Sequence, residues 1–125
     1  MELRLDTRGL HQAVEAAAKF FQNQRVVACC GDRFTLTCLC LTEPIRRAVV
    51  GAATTEDECF ELVLRTQPSL LICSEDLETG YGMNLLRRVR AKLPNCQLLI
   101  VLTRETQAVV QEAMEAFADA VIFKS

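Results

Sequence analysis

Five short runs rich in Val, Leu and Ile recur from residue 25 onward, and each is bounded by turn residues or by polar stretches. Such runs predict β-strands. They show little alternation of polar and apolar positions, which is typical of strands in a parallel sheet that is covered on both faces. The predicted strands are Arg25–Cys30, Ala48–Gly51, Ser69–Cys73, Gln97–Leu102 and Ala120–Phe123.

Amphipathic stretches separate these runs and predict helices. Thr55 and Glu58 have the spacing of a capping box, which opens the second helix, and Pro68 stops it. A polar, glycine-bearing loop from Ser74 to Gly82 precedes the third. The predicted helices cover Phe34–Thr42, the stretch between Thr55 and Pro68, Met83–Leu93 and Thr106–Phe117.

A further helix is predicted near the N-terminus, from about Arg8 to Gln22. Its apolar residues recur at helical spacing and form one stripe. The stripe consists of Leu10, Val14, Ala17 and Phe21. We therefore divide the chain into an N-terminal amphipathic helix, residues 1–24, and an α/β domain, residues 25–125.

Right-handed crossovers turn the alternation of strands and helices into an open parallel sheet with helices on both faces, a doubly wound α/β fold. In such folds the functional crevice lies outside the carboxyl ends of the strands. The candidate site residues are therefore those just past each strand: Cys30 to Arg33, Ser74 to Asp76, Thr103 and Lys124.

Composition excludes several classes of function. The 125 residues suffice for one compact domain, and the net charge of -2 gives no electrostatic footprint for nucleic acid or an anionic membrane. No apolar run approaches the roughly 20 residues that a bilayer span needs. The first residues lack the basic-then-apolar pattern of a secretion signal. We expect a soluble, cytoplasmic protein.

The seven cysteines are an odd number and lie mostly within apolar runs. There is no Cys-x-x-Cys spacing, and His11 is the only histidine, so no metal site is expected. Buried, reduced thiols are the favoured interpretation. A thiol-based sensor that uses Cys30 or Cys73 is the alternative, because a thiol near a loop can be activated by its surroundings.

Four segments carry a resemblance to a known family. They are Gln67–Leu77, Gly82, Leu102–Thr103 and Ala118–Lys124. In order and spacing they resemble the receiver domain of bacterial response regulators, of the type found ahead of LuxR/NarL-type DNA-binding domains. The resemblance spans about Arg25 to Ser125. It implies a flavodoxin-like, five-stranded parallel sheet in the order 2-1-3-4-5.

The departures from this family concern its phosphorylation site. The resemblance places the family's phosphoacceptor aspartate on Ser74 and its acidic pair on Cys30 and Gly31, whereas Thr103 and Lys124 keep the family's residue types. A serine without an activating base is a weak nucleophile, and Mg²⁺ prefers carboxylate oxygens. The resemblance thus implies a degenerate receiver with no catalytic residue, metal or cofactor. Outside the pocket, Val121 stands at the family's aromatic switch position and Phe117 at a helix-closing glycine.

Three nearby acids leave an alternative open. A register shift of one residue would bring Asp32 into the acidic pair, and Asp76 could still ligate from its loop. The same shift would place Glu75 at the phosphoacceptor position. It is less suitable there, because alternation along the strand directs its side chain away from the face that Ser74 uses. Solvated loop acids are the favoured interpretation of all three, and Lys124 is expected to pair with one of them.

The family's fold carries a fifth helix after the strand that ends in Lys124. Without that helix, part of the sheet would expose an apolar face. We expect the helix of residues 8–22 to cover this face, in its own subunit or a partner's. The alternative is that the fifth helix and a DNA-binding domain follow Ser125.

These observations predict a regulatory module that works without phosphorylation, as the N-terminal part of a transcriptional regulator. It would bind a protein partner or dimerise through the surface from Thr103 to Phe123, with no direct contact to DNA or membrane. A phosphorylatable regulator with a displaced acidic pocket and a cysteine-based redox sensor are the competing hypotheses.

Overall fold

The predicted alternation of strands and helices builds one parallel sheet. The computed structural model describes residues 2–5, 23–43 and 45–124, of which residues 2–5 and 124 are described in their backbone only. The strands are β1 (Glu2–Leu5), β2 (Val26–Cys29), β3 (Val49–Ala53), β4 (Leu70–Ser74), β5 (Gln97–Leu102) and β6 (Ala120–Lys124).

The helices between the strands begin and end close to the predicted residues. Side chains of Asp32, Thr55 and Thr106 cap three of them by accepting backbone N–H groups of the first turn. A short helix before β3 was not predicted, since a single turn leaves no periodic signal. The helices are α1 (Arg33–Leu41), α2 (Ile45–Ala48), α3 (Glu56–Thr66), α4 (Gly82–Lys92) and α5 (Gln107–Glu115).

The order of strands confirms the predicted fold class. The sheet runs β1-β6-β5-β4-β2-β3, and every pairing is parallel. Strands β2 to β6, taken as the first to fifth strands of the domain, give the predicted flavodoxin-like order 2-1-3-4-5.

A sixth strand, β1, extends the sheet beyond β6 and pairs Leu3 with Ile122. It was not predicted, because four residues in which acidic and basic side chains alternate with leucine carry too weak a signal. The predicted helix of residues 8–22, with its stripe of Leu10, Val14, Ala17 and Phe21, lies outside the described residues.

The sheet separates two apolar layers. On the first face, which we call the α3–α5 face, α3, α4 and α5 cover residues such as Leu71, Leu98 and Ile100. On the second face, the α1 face, α1 packs against a layer that includes Leu70 and Ile72. None of the described helices is both long and apolar enough to cross a bilayer.

The topology places a crevice between β2 and β4. The chain leaves β2 towards β3 on one side and leaves β4 towards β5 on the other. The loops that follow β2 and β4 therefore diverge at the carboxyl edge of the sheet.

Candidate functional site

A pocket of about 390 Å³ occupies this crevice. Of the nine candidate residues at the strand ends, the structure brings seven into its lining: Cys30, Gly31, Asp32, Ser74, Glu75, Asp76 and Thr103. For Lys124, the structure places the backbone at the end of β6, and its side chain lies outside the described residues. The predicted pairing of Lys124 with an acid therefore stays a prediction.

The hydroxyl group of Ser74 is held by backbone atoms on both sides. Its Oγ accepts a hydrogen bond from the Gly31 N–H at 3.2 Å and donates one to the Asp76 carbonyl at 2.8 Å. The hydroxyl proton is thereby directed at a peptide oxygen, and no side chain among the described residues accepts it as a general base would.

Gly31 touches the loop after β4 so closely that no side chain fits. A Cβ atom at this position would lie 2.5 Å from the Asp76 carbonyl oxygen and 2.8 Å from Leu77 Cα. Backbone atoms cannot move aside as a flexible side chain can, so the loop would have to shift. Gly82 makes a similar close approach from the other end of the loop, since its Cβ would lie 2.2 Å from the Ser74 carbonyl oxygen.

Cys30 and Thr103 flank these residues. Cys30 is 1% exposed and belongs to the apolar layer of the α1 face, which leaves its thiol as part of the pocket floor. Thr103 is exposed at the end of β5. Neither residue contributes a charge to the pocket.

Asp32 serves as the N-cap of α1. One carboxylate oxygen accepts the Phe34 N–H at 3.0 Å, and the other accepts the Thr35 hydroxyl at 2.8 Å. Such a cap stabilises a helix by about 1 kcal/mol. The carboxylate is thus used by the helix, although the residue is exposed and lines the pocket.

Asp76 is exposed, as predicted for a loop acid. Asp32, Asp76 and the buried Glu75 are the acidic residues of the described pocket lining. Among the described residues no group of three His, Cys, Asp or Glu side chains has the arrangement of a metal site. A hard divalent cation needs several oxygen ligands, so this donor set does not fit Mg²⁺.

Glu75 corrects one sequence-based expectation. It was predicted to be a solvated loop acid, but it is 1% exposed and forms an ion pair with Arg104 from the loop after β5. Its second carboxylate oxygen, Oε1, has no hydrogen-bond partner among the described residues. The predicted orientation away from Ser74 agrees with this pairing, and the carboxylate raises the pKa of the Arg104 guanidinium.

Tyr81 lies beside this ion pair at the start of α4. Burial, followed by a hydrogen bond to Glu112 of α5, raises the pKa of Tyr81 to about 12. The negative charge of Glu75 acts in the same direction. Glu75, Arg104, Tyr81 and Glu112 thus link the loops after β4 and β5 to α5.

A second link, through Glu78, was not predicted either. Its carboxylate binds Arg33 at 2.6 and 3.0 Å and accepts the hydroxyl of Thr54 at 2.7 Å. The Arg33 hydrogen bond is the main cause that lowers the pKa of Glu78. The loop after β4 is therefore tied to the start of α1 and to the end of β3.

The positive charge of α4 is partly neutralised within the chain. Arg88 binds Glu56 at 2.8 Å and Asp57 at 2.9 Å, and its guanidinium carbon lies 4.1 Å from the centre of the Phe60 ring. Arg90 binds Asp119 at 2.8 Å. These two of the four basic residues in α4 thus hold neighbouring elements together.

Three thiols meet in the layer of the α3–α5 face. Cys29 lies opposite Cys73 on neighbouring strands, and Cys59 approaches from α3. Hydrogen bonds from Cys59 and Cys73 lower the pKa of Cys29 to about 5, whereas the hydrogen bond to Cys29 and burial raise the pKa of both Cys59 and Cys73. The cluster holds at most one thiolate, and all three residues are 0% exposed.

Solved structures of other proteins share this fold. The REC domain of AraT, a response regulator from Geobacillus stearothermophilus, is 22% identical and has a TM-score of 0.73, with 81% of each chain covered. A LuxR-family two-component response regulator from Aurantimonas sp. is 22% identical with a TM-score of 0.72, covering 82% of this chain and 74% of that one.

The signal receiver domain of the putative response regulator NarL from Mycobacterium tuberculosis has a TM-score of 0.74 at 18% identity, covering 82% of this chain and 84% of that one. At these identities the likeness establishes the fold. Neither a family profile nor a curated protein matches the chain.

Proposed function

We propose that this chain is a receiver-like signalling domain that regulates by protein–protein contact and takes up no phosphoryl group. The observation that carries the proposal is the state of Ser74, which stands where the fold's relatives are expected to have an acceptor carboxylate. Its hydroxyl is fixed between the Gly31 N–H and the Asp76 carbonyl. Phosphoryl transfer depends on a positioned nucleophile and on cations that neutralise the transferring charge, and this pocket favours neither.

Gly31 supports the proposal independently. The second position of the family's acidic pair falls on this glycine, and backbone atoms of Asp76 and Leu77 occupy the space that a side chain would need. Asp32, the nearest replacement, is engaged by the first turn of α1. A displaced acidic pocket would have to release that cap before it could hold a cation.

The proposed output surface lies on α5 and the turn that follows it, within the predicted region from Thr103 to Phe123. Met114 and Phe117 are each 53% exposed there, and exposed apolar clusters mark contact sites in soluble domains. The ion pair of Glu75 with Arg104 ties the base of this surface to β4. A fixed loop would present the surface in one conformation, without a chemical signal at the pocket.

The relatives also suggest a context. One of the similar structures belongs to a LuxR-family response regulator, which supports a role as the regulatory part of a transcriptional regulator. Contact with DNA would then belong to another domain, and this domain would act in the cytoplasm on a protein partner.

The decisive experiment offers the protein a small phosphodonor. The chain is incubated with acetyl phosphate and Mg²⁺, next to an active receiver domain, and its intact mass is measured. We expect no phosphoryl adduct on this chain. An acid-labile, hydroxylamine-sensitive adduct would contradict the proposal, and its loss in Asp32→Asn or Asp76→Asn would identify a displaced acceptor.

The thiol cluster keeps the redox hypothesis open as a second candidate, because the pKa of Cys29 is lowered to about 5. A thiolate is the reactive form of cysteine, but reaction also needs access. Mass-resolved labelling of the folded protein with iodoacetamide decides the matter. Uniformly slow labelling of Cys29, Cys30, Cys59 and Cys73 eliminates a sensor, whereas rapid labelling of one of them supports it.

A further inference from the structure

The three thiols that meet on the α3–α5 face can do more than fill the core. Cys29 and Cys73 are paired residues of the neighbouring parallel strands β2 and β4, so their side chains project from the same face of the sheet. Cys59 packs against the same layer from α3. All seven cysteines of the chain carry free thiols. Two of these three neighbours can therefore be joined by oxidation.

The thiol of Cys29 lies against the first turn of α3. Its Sγ donates a hydrogen bond to the Thr55 carbonyl at 3.8 Å, and the same carbonyl accepts the Cys59 N–H at 3.0 Å. Thr55 and Cys59 are four residues apart and so lie on one side of the helix. Cys29 thus touches the helix at its N-cap and, one turn later, at Cys59.

Hydrogen bonds within the cluster divide the three thiols by charge. The bond from Cys59 is the main cause that lowers the pKa of Cys29 to about 5, and the bond to Cys29 is the main cause that raises the pKa of Cys59. At neutral pH a thiolate at Cys29 therefore lies beside a neutral thiol at Cys59. A thiolate attacks an oxidant, and a neighbouring thiol can resolve the product into a disulfide.

Geometry favours Cys59 over Cys73 as the partner of Cys29. A disulfide needs its two Cβ atoms about 3.8 Å apart, whereas hydrogen bonds hold neighbouring strands about 4.8 Å apart. Cys29 and Cys73 could close a bond only by disturbing the pairing of β2 with β4. Cys59 is carried by a helix, and packed helices can slide by small amounts.

We propose that Cys29 and Cys59 form a reversible disulfide within one chain when hydrogen peroxide reaches Cys29. The Cys29 thiolate attacks one peroxide oxygen, the O–O bond breaks, and the released hydroxide takes up a proton and leaves as water. The sulfur of Cys59 then attacks the resulting sulfenic acid. The S–S bond forms, the S–O bond breaks, and the second hydroxide leaves as water with the Cys59 proton. One peroxide is reduced to two waters while two thiols become one disulfide.

Access to the cluster requires a local opening, because both thiols are 0% exposed. The first turn of α3 covers Cys29 from one side, and helix ends open at a lower free energy than the whole fold. Hydrogen peroxide is hardly larger than water, so it can enter when this turn lifts. The same opening should make Cys29 the first residue of the cluster to react with iodoacetamide.

The first turn of α3 also holds the start of α4. The Glu56 carboxylate accepts the Tyr81 N–H at 3.0 Å, and Tyr81 is hydrogen-bonded to Glu112 of α5. A disulfide that draws Cys59 towards β2 would move Glu56 with it, and the shift would reach α5 through Tyr81. The disulfide thus deepens the proposed function, on which its regulatory meaning rests, by supplying a signal that is not a phosphoryl group.

Peptide mapping of the oxidised wild-type chain tests the pair without any variant. Reduced protein is treated with hydrogen peroxide, its free thiols are blocked with N-ethylmaleimide, and it is digested with trypsin under non-reducing conditions. We expect the peptides of residues 26–33 and 48–65 to be linked, in a chain of monomer mass, and dithiothreitol to separate them. Fragment ions from cleavage between Cys29 and Cys30 assign the bond. A bond from Cys29 to Cys73, or no bond within the chain, overturns the proposal.

Substitutions test the order of the two steps. Cys59→Ser should abolish the linked peptide and leave Cys29 as a sulfenic acid that dimedone traps. Cys38→Ser is the matched control, because Cys38 is a half-buried thiol of α1 outside the cluster, and it should leave the link intact. A link that survives Cys59→Ser, or one that Cys38→Ser removes, contradicts the assignment.

Amide hydrogen exchange of the oxidised and reduced chains tests the path to α5. The disulfide ties the first turn of α3 to β2, so exchange at residues 58–60 should slow at least tenfold. Exchange of the Tyr81 N–H, whose acceptor is Glu56, should change with it. The amides of α1, on the other face of the sheet, serve as the internal control. An unchanged Tyr81 amide in the oxidised chain would exclude the regulatory path.

Failure of this inference and failure of the proposed function give different results. A chain that forms no disulfide and takes up no phosphoryl group contradicts the thiol pair and leaves the proposed function standing. A chain that forms the disulfide and also accepts a phosphoryl group from acetyl phosphate contradicts the proposed function and leaves the thiol pair standing.

Discussion

Individual residues close the pocket mainly with backbone atoms. Ser74 is bonded to two peptide groups, and Gly31 and Gly82 bring the flanking backbones into contact with the loop after β4. The side chains that carry charge are directed elsewhere: Asp32 caps α1 and Glu75 pairs with Arg104. These residues therefore leave the pocket with few charged groups that are free of other contacts.

Removing one or the other partner of the ion pair between Glu75 and Arg104 should change the stability by very different amounts. Removing the cation in Arg104→Leu leaves a buried carboxylate unpaired. We expect the free energy of unfolding to fall by about 2 kcal/mol, which is less than for a fully buried pair because Arg104 itself is half exposed. Urea unfolding followed by circular dichroism measures the change.

The single variant Glu75→Leu and the double variant complete a double-mutant cycle. Glu75→Leu should be close to neutral, and adding it to Arg104→Leu should restore most of the lost stability. If Arg104→Leu alone is tolerated without loss, the buried carboxylate is not held by this pair.

The raised pKa of Tyr81 predicts how the stability of the fold changes at high pH. Its pKa rises from an ordinary value of 10 to about 12, so the fold favours the protonated phenol. The stability that the protonated phenol contributes is fully present below pH 10 and is lost as the pH rises through about 12. Tyr81→Phe should be less stable than the wild type by about 1 kcal/mol below pH 10, because the bond to Glu112 is missing.

The difference between the two proteins should therefore shrink between pH 10 and about 12. Unfolding temperatures measured across this window give the comparison, and the titration of Cys96, whose pKa is raised to about 11, cancels between them. Parallel curves for the two proteins would exclude Tyr81 as the titrating group.

Sequence reasoning located the pocket residues but not their roles. Ser74, Cys30 and Gly31 were found because they follow or end predicted strands in a recognisable order. The burial of Glu75 could not be predicted, because its partner Arg104 lies 29 residues away in a loop. The one available signal was that an acid and a base follow neighbouring strand ends.

Among the elements, the end of α5 is the most unusual. Phe117 has a φ of 73°, in the left-handed region where glycine is favoured, and its side chain is 53% exposed. A bulky residue in this conformation costs roughly 1–2 kcal/mol. Strain at an exposed aromatic residue agrees with a role in contact, since no burial offsets it.

Phe117→Gly should therefore stabilise the domain while it weakens partner binding. We expect the free energy of unfolding to rise by about 0.5 kcal/mol, the relief of strain less the entropy cost of glycine. Phe117→Ala is the matched control, because it removes the ring but keeps the Cβ atom and its strain. Equal stability of the glycine and alanine variants would show that the left-handed conformation carries no strain.

The elements themselves followed from hydrophobic patterning where they were long. The strands from β2 to β6 and the helices α1, α3, α4 and α5 were predicted within a few residues. The two missed elements, β1 and α2, have four residues each and form through tertiary pairing and packing, which a local pattern does not encode.

At the scale of the whole molecule, β1 constrains the path of the chain. It lies beyond β6, whereas β2 lies on the far side of β5 and β4. Connections between parallel strands are right-handed as a rule, and a right-handed connection from β1 to β2 would run over the α1 face. On the α1 face, Leu99 of β5 and Ala120 and Ile122 of β6 are buried, at 4%, 8% and 9% exposure. The helix α1 packs on the same face but near β2 and β3.

Removal of residues 1–24 should therefore destabilise the domain. The truncated chain loses the pairing of β1 with β6 and exposes the apolar layer over β5 and β6, so we expect poor solubility and binding of a hydrophobic dye. Dye fluorescence and urea unfolding measure both effects. A truncated chain as stable as the full one would show that residues 25–125 complete the fold alone.

A point-mutant pair tests the same prediction in the full-length chain. Leu10→Asp with Phe21→Asp places charges in the predicted stripe and should lower stability. Gln12→Asp with Ala16→Asp adds the same charge on the other side of the predicted helix and should be tolerated.

The contact at Gly31 also limits the evolutionary paths open to this chain. An ancestor or descendant with a metal-binding carboxylate there needs a differently placed loop at Asp76 and Leu77, so residue 31 and the loop would have to change together. Intermediates that alter one side of the contact would be less stable than either end point and would be removed by selection. The tight fit at Gly31 thus opposes stepwise change at this position and preserves the present function of the domain.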